Sequence, residues 1–162
     1  MVYKTVLSTN LTSPAYCWYN NDTTYKNKYG ALYNWYAIGT GKLCPTGWHF
    51  PSNEEWSNLE KHFGSNYIAA YSLKEYKDIH WRKSNYMGTG SSGFAALPGA
   101  DRNKYSDFGD SLGIGLYGKW WSTSSNSDGQ YYARELPFFQ NIFIESYYPP
   151  NFGLSIRCLK DN

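Results

Sequence analysis

Histidine, cysteine and charge are all scarce in this 162-residue chain. Each shortage removes a class of function. The three histidines, His49, His62 and His80, lie far apart, one beside a tryptophan, one at a helix end and one in a loop, so they assemble no acid–base or metal constellation. Catalytic residues and cofactors are therefore expected to be absent. Three cysteines, Cys17, Cys44 and Cys158, allow one intramolecular disulfide at most and leave one thiol over; none has the C-x-x-C spacing of a redox or zinc site. A formal net charge of +2, with Lys and Arg scattered in no basic stripe, sets nucleic acid aside. No run approaches the ~18 apolar residues of a membrane span, so no membrane insertion is expected of this domain. The N-terminus carries no signal-peptide pattern, as expected of a mature or trimmed chain.

What is abundant is aromatic: seven Trp, seventeen Tyr and eight Phe. A chain this long forms a single domain over residues 1–162, burying about 70% of its unfolded surface. Its core cannot enclose every ring. The remainder must face water, where Tyr and Trp build recognition surfaces.

Organisation follows from punctuation and period. An apolar strand at residues 94–97 breaks at Pro98 and Gly99, and an aromatic strand resumes at Lys119, Trp120, Trp121 and Ser122. Between them runs a polar excursion with glycines at 109, 113, 115 and 118 that no regular strand or helix would tolerate. One helix is clear. Ser52 and Glu55 form a capping box, Trp56, Leu59 and Phe63 share a face, and Gly64 closes it. A second helix is expected over residues 68–77, and residues 78–92 form a loop anchored by Trp81. Residues 1–13 read as an edge strand and 15–27 as a loop, while 29–37 suits either strand or short helix. Strands are expected at 130–136, 141–146 and 152–159, with Tyr147, Tyr148, Pro149 and Pro150 in a turn. In the last run Leu154, Ile156 and Cys158 alternate with Ser155 and Arg157.

Phrases in this order carry a resemblance: YGALYNWYA at 29–37, CPTGWHFPS at 44–52 with Glu55 and Trp56, GFAALPG at 93–99 with Arg102, WWST at 120–123 and GLSIRC at 153–158. As a set they resemble the Fibrobacter succinogenes major paralogous domain family. The resemblance implies an α+β, C-type-lectin-like fold, mostly antiparallel strands with one or two helices and long loops, in which the terminal strands pair. It also implies similarity to the variable proteins of diversity-generating retroelements, with residues 117–151 as the variable face. Lys119, Glu135, Gln140 and Glu145 do not suit adenine mutagenesis and belong to the scaffold. Lys26 stands where family members place a partner for Cys17. A bridge, if formed, joins Cys44 to Cys158; three buried thiols are the alternative.

The reading is a receptor or adhesin module that binds a protein or glycan ligand on a cell surface, in an extracellular, cell-surface or virion setting. Its candidate ligand-binding residues are Tyr117, Trp120, Ser124, Asn126, Tyr131 and Arg134 on one side. Phe138, Phe139, Asn141, Phe143, Tyr147, Tyr148 and Asn151 complete the set, with Trp121 assigned to the core. The fold's calcium-binding triplets are absent, and Asp101, Asp107, Asp110 and Asp128 read as turn formers, so no metal is expected. The only reactive-cysteine candidate for the related sulfatase-modifying enzymes is Cys158, inside a strand, so no enzyme is expected. The rival reading is a structural or self-assembling surface-protein domain.

Overall fold

A computed structural model of the chain describes residues 3–4, 11–76, 79–105, 107–108 and 113–161. Eight strands and four α-helices alternate irregularly among the described residues, an α+β arrangement with mainly antiparallel pairing. The strands are β1 (Tyr3–Lys4), β2 (Ala15–Cys17), β3 (Leu32–Tyr33), β4 (Trp48–His49), β5 (Tyr117–Ser125), β6 (Tyr131–Pro137), β7 (Ile144–Tyr148) and β8 (Leu159–Lys160). The helices are α1 (Lys26–Tyr29), α2 (Trp35–Ile38), α3 (Asn53–His62) and α4 (Asn66–Leu73).

The antiparallel sheet β5-β6-β7 is the backbone of the molecule. It connects to the β1-β2-β3 sheet through residues 153–155, where Leu154 bridges Tyr33 and Ser155 bridges Trp120. Short β8 returns to pair with β4, and the Cys44–Cys158 disulfide staples the same two segments. Cys17 stays a buried free thiol, its pKa pushed up to about 11 by burial.

Helices cover both faces of β5 and β6. Trp120, Leu136 and Phe143 pack with Trp56, Leu73 and Trp81 on the side of α3 and α4. Trp121, Ala133 and Leu154 pack with Ile38 and Trp35 on the other. Both adjacent tryptophans are therefore interior, which corrects the assignment of Trp120 to the surface. Alternation sends them to opposite faces, and each face has its own cover. Gly118 makes room for this, since a Cβ there would lie 2.3 Å from the Trp120 ring and 2.8 Å from the Leu97 carbonyl oxygen.

Local signals explain α3 in full. Ser52 Oγ accepts from the Glu55 N–H while Glu55 Oε2 accepts from the Ser52 N–H. Trp56 is buried, and Leu59 and Phe63 pack against the same core. Trp81 anchors its loop as expected, its indole donating to the Ala96 carbonyl at 2.9 Å.

Other segments depart from expectation. Residues 94–97 supply only a one-residue bridge, Ala96 to Lys74, because Gly93 and Ala95 take positive φ and break the pleat. The second helix spans Asn66–Leu73. Its expected end at Lys77 lies outside the described residues, as do most of the N-terminal run and Gly109. Residues 15–27 form β2 and short helical turns in place of a loop. Tyr147 and Tyr148 end β7 in place of a turn, and 152–159 is mostly bridges and bends. The terminal strands pair with β2 and β4, not with each other.

Candidate ligand-binding face

The sheet edge at β7 and the loops at its ends decide which rings reach solvent. Cross-strand register pairs Tyr132 with Tyr147 and Tyr131 with Tyr148. Tyr147 points outward, 55% exposed, with Tyr132 edge-on to it at a centroid distance of 6.1 Å. Tyr131 and Tyr148 point the other way: Tyr131 stacks flat on Trp35 at 3.5 Å, and Tyr148 meets Trp121 edge-on.

Beneath Tyr148 lies a closed charge network. Lys119 Nζ is 3.0 Å from Asp101 Oδ1, with both side chains almost fully buried, and sits over the Tyr117 and Tyr148 rings. The Tyr148 hydroxyl donates to Glu135. Burial raises the Tyr148 pKa, opposed by Lys119 and reinforced by Glu135. These contacts hold the Tyr148 and Tyr117 rings in place from below.

A second outward ring sits at the β6–β7 loop. Phe139 is 40% exposed and lies edge-on to Phe138 at 5.4 Å and Tyr117 at 5.8 Å. The loop is pinned from outside the 117–151 segment. Lys74 Nζ donates to the Gln140 carbonyl, to Asn141 Oδ1 and to the Tyr86 carbonyl, while Ser84 Oγ donates to the Phe138 carbonyl at 2.7 Å. Each adjacent aromatic pair thus shows one ring and tucks the other.

Four expected surface residues are interior. Trp120 and Phe143 belong to the α3 and α4 core. Arg134 is buried because its guanidinium reaches across to Glu145 at 2.6 Å and Ser57 at 2.8 Å, tying the sheet to α3. Asn141 is buried as an acceptor for Lys74. Ser124, Asn126 and Asn151 are half-buried. Ser124 caps the Asn53 N–H at 2.9 Å, and Asn126 accepts from Asp128 and Gln130 to shape the β5–β6 turn. Three of the four scaffold residues have matching roles: Lys119 and Glu135 line the buried network, and Glu145 pairs with Arg134, which lowers its pKa. Gln140 is exposed, and only its backbone carbonyl accepts from Lys74.

The sequence reading missed an aromatic region outside 117–151. Tyr67, Ile68 and Tyr71 on α4, with Tyr76, Ile79, Tyr86 and Met87 after it, are all exposed. Their signal was present in the composition of α4, which has no charged residue.

Histidines and aspartates find structural partners. His49 bridges Glu55 at 2.9 Å and Asp161 at 2.6 Å, on a short ribbon whose Trp48 is exposed, not in the core. His80 pairs with Glu75. Asp101 is the buried partner of Lys119, the Asp107 and Asp128 N–H groups donate turn bonds to Asn103 Oδ1 and Asn126 Oδ1, and Asp110 lies outside the described residues. Among the described residues no cluster of three or more His, Cys, Asp or Glu is placed to hold a metal ion. An apolar cleft of about 220 Å³ opens between Pro51, Trp56, Leu59, Phe94 and Leu159. Arg157 forms its wall, stacked on Phe94 and donating to the Phe94 carbonyl at 2.7 Å.

The coordinates define an α+β domain built on a twice-covered antiparallel sheet, with aromatic rings at its edge and loop tips. The Fibrobacter succinogenes major domain model matches residues 2–160, so the chain belongs to that family. No curated protein and no solved structure matches it.

Proposed function

We propose that the domain is a ligand-binding module of C-type-lectin-like fold, a receptor or adhesin that displays residues 117–151 outside the cell or virion. The observation that carries this reading is the outward pair of rings, Tyr147 and Phe139, each held by a tucked neighbour. Rings fixed in this way lose little conformational entropy on binding, and half-exposed Ser124 and Asn126, at the β5–β6 turn end of the sheet where Tyr147 also lies, offer adaptable hydrogen bonds. The ligand is a protein or glycan, taken without calcium, cofactor or covalent chemistry.

The segment also suits a diversity-generating retroelement variable protein. Tyr, Phe, Ser, Asn and Asp populate it, while the residues that adenine mutagenesis would not yield, Lys119, Glu135 and Glu145, have structural partners. A neighbouring reverse-transcriptase gene with a near-copy of the coding segment that differs chiefly at adenines is the expected genomic finding.

The test is a binding screen on arrayed cell-surface proteins and glycans, read with wild type and with Tyr147→Ala/Phe139→Ala. A hit lost at least tenfold in the variant, with unchanged thermal unfolding, supports the reading. A hit that the variant retains in full contradicts it.

A further inference from the structure

Seven of the twelve exposed large apolar residues among those described fall in one region apart from the proposed binding rings: Tyr67, Ile68, Tyr71, Tyr76, Ile79, Tyr86 and Met87. Backbone contacts make the region continuous. Thr89 N donates to the Tyr71 carbonyl, Tyr76 bridges Gly88, and Lys74 binds the carbonyls of both Tyr86 and Gln140. At its centre is the outer face of α4, where Tyr67 and Tyr71 lie 6.3 Å apart and within 18° of parallel.

A helix that ends its days in water carries charge on the wet face. The sequence of α4, NYIAAYSL, carries none, while Ala69, Ala70 and Leu73 already fill the inner face. That is the composition of a helix covered on both sides. With such side chains burying ~200 Å² each when enclosed, exposures of 40% to 72% leave about 100 Å² open on each. The seven together offer about 700 Å², within the range one partner gives to a standard interface.

We infer that this face pairs with the same face of a second copy of the chain about a two-fold axis. Two uncharged helix faces meet without like-charge repulsion, which an isologous contact requires because each side chain faces its own surface. The nearby exposed cations, Arg82 and Lys83, lie in the loop beyond α4 and not on its outer face. The tyrosine face at Tyr132 and Tyr147 lies on a different element, β6 and β7, so a dimer would present two copies of the proposed binding surface. Bivalent display raises avidity without new contacts.

Sedimentation equilibrium at about 50 μM, well above the micromolar Kd of the weaker interfaces of this size, tests the inference. Wild type is expected at about twice the 18.6 kDa chain mass. Ile68→Glu/Tyr71→Glu is expected at the single-chain mass with an unchanged circular dichroism spectrum, since both side chains are exposed. Tyr132→Ala/Tyr147→Ala is expected to stay dimeric whatever it does to ligand binding. A monomeric wild type overturns the inference and assigns the face to a different molecule. A double-glutamate variant that stays dimeric overturns it as well. Neither result touches the proposed ligand-binding face, which the array screen tests separately.

Discussion

Arg134 shows how much a single register position depends on what lies across from it. On alternation alone its side chain belongs to the outer face of β6, yet α3 covers that face and gives it Ser57 as a partner, while the cross-strand neighbour on β7 gives it Glu145. Removing it leaves a half-exposed Glu145 short of its cation and empties a buried site. Arg134→Ala is expected to cost about 2 kcal/mol, measured by urea unfolding, below the range for a fully buried pair because Glu145 still reaches water. Trp120, Phe143 and Asn141 teach the same lesson. Period-two alternation tells which residues share a face; whether that face is wet depends on helices some 50 to 80 positions away.

His49 makes a second prediction at this scale. Hydrogen bonds to Asp161 and then Glu55 raise its pKa above the ordinary value. A raised cationic pKa stabilises the fold fully below the unfolded value of ~6.5, and the contribution disappears as pH climbs through the folded value. The stability gap between wild type and His49→Gln should be widest below the unfolded value of ~6.5 and narrow as pH climbs through the raised folded value. A gap that does not change between those pH values would remove the ionic role. At lower pH the sign reverses for Glu55. Burial opposes its ionisation, but the Ser52 N–H and His49 outweigh that and lower its pKa, so protonation loosens the same cluster.

Among elements, α3 was readable to the residue, because capping boxes act within four positions. Ser52→Ala should cost about 1 kcal/mol in thermal or urea unfolding. Strand β6 was readable to within a residue from aromatic content between turn signals, and β5 at its centre, 119–122, though it starts two residues earlier and ends three later. Residues 94–97 looked equally strand-like and are not, since positive φ at Ala95 is set by its tertiary setting, with Arg157 bonded to the carbonyls of Phe94 and Ala95. The terminal ribbon of β4 and β8 is only two residues long, and such a pairing is marginal without support. The Cys44–Cys158 bridge closes a span of 114 residues and supplies that support. Cys44→Ser/Cys158→Ser should lose about 2–5 kcal/mol in denaturant unfolding, and reductant should reproduce the loss in wild type. Cys17→Ser, by contrast, places a hydroxyl in a buried site, and the cost of that substitution should be the same with and without reductant, which acts on the Cys44–Cys158 bridge.

For the whole molecule, counting rings required that some be outside, and each adjacent pair shows one, Phe139 beside Phe138 and Tyr147 beside Tyr148, although the count did not say which member. Counting could not locate the largest outward group, on α4 and the loop after it, because an uncharged helix in sequence looks like core. The covered sheet takes up Trp120, Trp121 and Phe143, and among the described residues rings meet water at the edge of β7, at the β6–β7 loop, on α4 and the loop after it, and singly at Trp48 and Tyr105.

The central claim is that the rings at the sheet edge and loop tip grip a ligand. The most direct measurement is ligand affinity, with a partner found on the protein and glycan arrays, for wild type against Tyr147→Ala/Phe139→Ala. The account predicts at least a tenfold loss with thermal unfolding unchanged; equal affinity in the two proteins would contradict it.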